Sequence, residues 1–191
     1  MMKKIALIYM GGTFGCIGEP LNPMPAEQFI PKLQHILPLH LEIDCFTAPV
    51  IRDSSACIAS DWLQLLEQIQ HLQLQQYQHF VIIHGTDTLS YASAVLSRFM
   101  GQSAHVVLTG SQYPLLNAQG TDSREFTDAI DNLNFALDSA VQAPAGVYLA
   151  FHHQLIHAST ALKVHTTALN AFAGSTEGNE CHAGWQPLAV H

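Results

Sequence analysis

The chain has 191 residues, of which 48% are apolar and 12% charged, and its 7 Lys plus Arg against 15 Asp plus Glu give a formal net charge of −8. The length falls within the roughly 100–200 residues of one domain and the apolar share is ordinary for a globular protein, so a disordered chain is excluded and residues 1–191 are expected to form a single domain. No basic patch is available for a phosphate backbone, and no apolar run approaches the ~20 residues of a membrane-spanning helix, so nucleic acid and membrane are excluded as partners.

In chain order, Met1 to Lys4 precede the apolar run IALIYM at 5–10, which leads into Gly11-Gly12-Thr13 without a small-residue cleavage site. It reads as a first β-strand rather than a signal peptide. LEIDCF at 41–46 is strand-like, and the segment ending at Val50-Ile51 is followed by Arg52-Asp53-Ser54-Ser55. Ser60 is placed to cap a helix whose Trp62, Leu65, Leu66, Ile69 and Leu72 form one apolar stripe. FVIIH at 80–84 is a buried-strand run ending in Gly85-Thr86-Asp87-Thr88, and Leu89, Ala92, Val95, Leu96, Phe99 and Met100 form a second helical stripe. HVVLTG at 105–110 is the next strand, with Ser111-Gln112 behind it. A third helix is predicted on Phe126, Ala129, Ile130, Leu133 and Leu137, and GVYLAF at 146–151 is a further strand.

Buried strands alternating with helices predict an α/β fold, a mostly parallel, Rossmann-like sheet flanked by helices with right-handed crossovers. The turns after the strands then share the sheet's carboxyl edge, where ligands bind in open parallel sheets. Each turn taken alone is also what a helix cap or tight turn would use; four of them on one rim point to a site. MGGTFG lacks the dinucleotide spacing G-x-G-x-x-G, no G-x-x-x-x-G-K-[ST] occurs, and TGSQY does not fit G-x-S-x-G. The cysteines, Cys16, Cys45, Cys57 and Cys181, form no C-x-x-C pair and read as thiols of a cytoplasmic protein. Among twelve histidines only His152-His153 with His157 approaches a metal-ligand cluster, and it lacks a partner Cys or carboxylate spacing, so no metal is expected.

GGTFG at 11–15, HGTDTLSYASAVLS at 84–97 and VVLTGSQYPL at 106–115 resemble the type I bacterial L-asparaginases, and the similarity runs from Lys3 to about Phe172. It corresponds to that family's N-terminal domain, so the resemblance implies the asparaginase N-terminal fold without the C-terminal domain. It also implies hydrolysis of a side-chain amide, asparagine to aspartate and ammonia, through a threonine nucleophile and without a cofactor. Thr13 matches the nucleophile. Thr86, Asp87 and a lysine that aligns at Lys163, within HASTALKVHTTALNAF at 157–172, match a second polar triad. Ser54, Ser55 and Gly12 match positions that hold the substrate, and Asp87 would take its α-ammonium. A free amino-acid amide suits hydroxyl donors for its carboxylate and a carboxylate for its ammonium.

The sequence departs from the family where a loop tyrosine supports the nucleophile, since residues 14 through 30 contain none. An Asp-Gly pair has become Asp122-Ser123, and an arginine-glycine stretch has become His157-Ala158. Two other readings therefore stand beside the asparaginase one: a weak or inactive amino-acid-binding homologue, and an amidase for another small amide. A homodimer is expected, because surface covered in relatives by further domains would be exposed here.

Overall fold

The computed structural model describes residues 3–51, 54–160, 162–163 and 172–173. In chain order the elements are β1 (Lys4–Tyr9), β2 (Cys16–Ile17), β3 (Asn22–Pro23), α1 (Ala26–His35), β4 (Glu42–Thr47), α2 (Ala59–Leu74) and β5 (His79–Ile83). There follow α3 (Leu89–Met100), β6 (His105–Thr109), α4 (Ala129–Gln142), β7 (Gly146–Phe151), β8 (Gln154–His157), β9 (Leu162–Lys163) and β10 (Phe172–Ala173). Six strands form one sheet in the order β4-β1-β5-β6-β7-β8, parallel except for β8, which runs antiparallel to β7. The expected α/β architecture is the one observed.

The strand period of two divides the apolar residues between two cores. Ala6, Ile8, Phe80, Ile82, Val106, Leu108, Val147 and Leu149 face α2 and α3, packing on Leu65, Ile69, Ala92 and Leu96. Ile5, Leu7, Val81, Ile83, Val107, Tyr148 and Ala150 face α1 and α4, packing on Phe29, Leu33, Leu133 and Leu137. Burial on both faces explains why β1, β5, β6 and β7 read as nearly continuous apolar runs.

The expectation of uniformly right-handed crossovers fails at one place. From β5 to β6 and from β6 to β7 the chain steps in the same direction across the sheet, yet α3 lies on one face and α4 on the other. The β6-α4-β7 connection therefore has the opposite hand to β5-α3-β6. The β1-α1-β4 connection reverses both direction and face and β4-α2-β5 reverses neither, so both share the hand of β5-α3-β6. Residues 110–128 make the inversion possible, carrying the chain over the carboxyl edge before α4 begins at Ala129. Apolar spacing gives the stripe a helix buries but not the sheet face that receives it, so this feature had no signature in the sequence.

Local expectations shift in three more places. The α2 helix begins at Ala59, and the Asp61 carboxylate, accepting from Ile58 N–H at 3.0 Å, does the capping assigned to Ser60. Phe126 precedes α4 and is exposed, its ring edge-on to Tyr113, and Phe99 on α3 is also exposed. His152 and His153 are the central residues of the two-residue β7–β8 turn at φ 50° and 56°, the conformation of a type I′ hairpin, and both are exposed. His157 Nδ1 lies 2.9 Å from Ser159 Oγ. Among the described residues no three His, Cys, Asp or Glu side chains are placed to share a metal. No helix among them is long and apolar enough to cross a membrane.

Candidate active site

From β1 the chain passes first to β4 on one side and then, through α2, to β5 on the other, so the topological switch point lies between β1 and β5. In open parallel sheets that crevice is the preferred ligand site. Ladder bonds continue to the very edge: Ala48 N–H donates to Tyr9 O, Met10 N–H to Ile83 O and His84 N–H to Thr109 O, each at 2.9 Å. The turns after β1, β5 and β6 thus start in register.

Their glycines let them touch. Gly12 has φ +91°, and a Cβ there would lie 2.5 Å from Gly85 Cα and 2.7 Å from Gly85 N. A Cβ on Gly110 would lie 2.3 Å from His84 O. The His84–Gly85 peptide is therefore clamped between two glycines that no other residue could replace without moving backbone. Thr13 opens a short 3₁₀ turn, Thr13–Gly15, directly after Gly12, and Thr86 opens another, Thr86–Thr88, directly after Gly85.

Thr86 is buried and its hydroxyl donates to Gln112 Oε1 at 3.4 Å, while Asp87 is exposed and Thr13 half-buried. The 3₁₀ turn Ser54–Ala56, with Ser55 exposed, packs against the turn that holds Thr86 and Asp87. Gly12, Thr13, Ser54, Ser55, Thr86 and Asp87 consequently lie on three adjoining turns. Arg52, Asp53 and the side chains of Ser54 and Lys163 fall outside the described residues. The backbone of Lys163 lies on β9, paired with Phe172, whose ring packs on Phe151 at the end of β7 with centroids 4.9 Å apart.

The 110–128 segment is held by a residue that the sequence did not single out. Asp128, buried beside the start of α4, accepts from Gln112 N–H at 2.9 and 3.1 Å, from Tyr113 N–H at 3.0 Å and from Asn132 Nδ2 at 3.3 Å. Asn132 Nδ2 also donates to Gly110 O at 2.9 Å. An acidic residue directly before the apolar helical repeat at Ala129 was the available signal, and it was indistinguishable from an ordinary cap. Beyond Gln112 a cavity of about 480 Å³ opens between residues 17–21 and the 112–118 stretch, with Arg124 stacked 5.2 Å over the Tyr113 ring. The nearest tyrosine before Thr13, Tyr9, is buried in the core, and burial pushes its hydroxyl well above the ordinary range.

Residues 4–183 match the family described as asparaginase, N-terminal. The chain belongs to the asparaginase family. It is 31% identical to L-asparaginase 1 of Escherichia coli (strain K12) over 178 residues, covering 90% of this chain and 50% of that protein. It is 40% identical to the 60 kDa lysophospholipase of Mus musculus, covering 98% of this chain and 35% of that one. The structure of L-asparaginase I from Vibrio cholerae O1 biovar eltor str. N16961 superposes with a TM-score of 0.74 at 29% identity, covering 92% of this chain and 52% of that chain. The chain thus spans about half the length of these asparaginases.

Proposed function

We propose that the protein is an asparaginase-like amidohydrolase that converts L-asparagine to L-aspartate and ammonia with Thr13 as nucleophile. The observation that carries this reading is the backbone contact of Gly12 with Gly85, which sets the turns of Thr13 and Thr86 side by side at the switch point. The Thr13 hydroxyl adds to the amide carbon, its proton is taken up within the site, and the C–N bond breaks as ammonia leaves with a proton. Water then cleaves the acyl ester and restores the threonine. Thr86, Asp87 and Lys163 form the supporting triad, in which the lysine lowers the cost of deprotonating a hydroxyl. Ser54, Ser55 and Gly12 hold the substrate, and Asp87 takes its ammonium. No cofactor enters these steps.

A cytoplasmic location and a homodimer belong to the same reading. The first rests on the thiols, the second on exposed Tyr91, Phe99 and Phe126. A binding homologue without turnover is favoured by one specific feature, the absence of tyrosine from residues 14–30. Ammonia release across a panel of free amino-acid amides and small acyl amides separates the readings: turnover of asparagine supports the proposal, turnover of another amide alone selects an amidase, and aspartate binding without any turnover selects the binding protein.

A further inference from the structure

His84, which ends at the clamped peptide before Thr86, is almost wholly buried, 1% exposed. Its two ring nitrogens have different partners. Nε2 lies 3.1 Å from Trp62 Nε1, and Nδ1 lies 2.8 Å from Gly85 O. The indole N–H of Trp62 can only donate, so Nε2 must be the unprotonated, accepting nitrogen. The Gly85 carbonyl can only accept, so Nδ1 must carry the hydrogen. Both partners demand the same tautomer, and neither tolerates its alternative.

Two consecutive peptide planes lead into Thr86, and different devices fix them. The His84–Gly85 plane is wedged between Gly12 and Gly110. The Gly85–Thr86 plane has its carbonyl end held by His84 Nδ1–H. The direction in which Thr86 leaves the turn follows from that second plane. Burial also drives the imidazole toward its neutral form, in keeping with the bonds it makes.

We infer that His84 is a positioning residue for Thr86: Trp62, reaching up from α2, holds its neutral ring with the proton on Nδ1, and that N–H fixes the Gly85–Thr86 peptide in the orientation that turnover requires. The inference rests on the catalytic reading of Thr86 given above. It assigns to Trp62 a role beyond the hydrophobic stripe of α2, at the link between that helix and the site.

Asparagine separates the two nitrogens of the imidazole, because its side-chain N–H₂ reproduces the Nδ1 donor and nothing reproduces Nε2. His84→Asn and His84→Ala both strip Trp62 of its acceptor and leave a cavity, so a purely structural role predicts the same effect on kcat from both. The positioning role predicts that His84→Ala lowers kcat for asparagine about 10- to 100-fold with KM changed by less than about threefold, and that His84→Asn recovers most of the loss. Equal kcat values in the two variants would overturn the inference.

A second readout works without turnover. Long-range ¹H–¹⁵N spectra of the ¹⁵N-histidine-labelled protein should show His84 with a protonated Nδ1 and a bare, hydrogen-bonded Nε2. The Thr86 amide resonance should shift in His84→Ala and stay near its wild-type position in His84→Asn. If the wild-type protein releases no ammonia from any amide, the catalytic reading fails and these spectra still decide the geometry: a proton on Nε2, or equal Thr86 shifts in both variants, contradicts the inference.

Discussion

Gly12 and Gly85 meet backbone to backbone, so closely that a Cβ on Gly12 would stand 2.5 Å from the Gly85 Cα. This contact joins the end of β1 to the end of β5 at the point where the chain reverses its direction across the sheet. Gly12→Ala must therefore displace one of the two turns and also hold alanine at φ +91°. That conformation, φ 91° with ψ −176°, is essentially confined to glycine and alone costs about 1–3 kcal/mol for alanine. Activity should fall at least tenfold, and the thermal midpoint should drop, as read by ammonia release and calorimetry. Gly110→Ala, which would meet His84 O at 2.3 Å, should behave alike. Wild-type activity in either variant would show that the clamp does not set the site's geometry.

Asp128 should matter for stability and rate together. Removing its carboxylate leaves the Gln112 and Tyr113 N–H groups without their acceptor, and a buried unpaired donor costs about 1–3 kcal/mol. Asp128→Ala should lose several degrees in Tm and, by freeing the segment that carries Gln112, lower kcat. Asp128→Asn, which keeps one acceptor oxygen, should lose less. Denaturation curves and steady-state rates on the two variants check the ranking.

Acid should weaken the fold from below about pH 6.5. His79, His84 and His157 are all pushed below their ordinary value of 6.5, with burial the largest cause for each. The folded protein binds protons at these rings less readily than the unfolded chain does, so the unfolded state takes up more protons as pH falls and stability decreases with it. Each such ring adds at most about 1.4 kcal/mol per pH unit to the slope below 6.5. Denaturant unfolding at pH 7.5, 6.5 and 5.5 should show the slope, and His84→Asn should make it shallower.

Much of this was legible in the residues, for identifiable reasons. The runs at 80–83 and 146–151 are β-branched or apolar because both faces of β5 and β7 are covered, and the turn residues behind them were readable because a strand must end before a site begins. Helix α1 was missed: Pro25 and Pro31 punctuate it, and it forms because Phe29 and Leu33, one turn apart, are both fully buried. Strand β8 was missed because His152-His153 occupies a turn that asparagine-glycine usually announces. The hand of the β6-α4-β7 connection and the role of Asp128 depend on where the 110–128 segment passes in space, which local spacing does not encode.

Asp87 and Lys163 should fail differently. Asp87→Ala removes the proposed partner of the substrate's ammonium, so KM for asparagine should rise as kcat falls. Lys163→Met should lower kcat with a smaller change in KM, because the lysine is assigned to the deprotonation of Thr86 rather than to ground-state contact. Initial-rate kinetics over a range of asparagine concentrations distinguish the two patterns. Identical changes in both variants would dissolve the assignment of separate roles.

The most direct test of the central claim is ammonia release from L-asparagine by wild-type protein and Thr13→Ala, measured alongside aspartate binding by calorimetry. A hydroxyl that acts in the transition state contributes little to ground-state affinity. The wild type should turn over asparagine, Thr13→Ala should lose at least about a thousandfold, and aspartate affinity should agree within about threefold between the two proteins. Undiminished ammonia release by Thr13→Ala would contradict the claim.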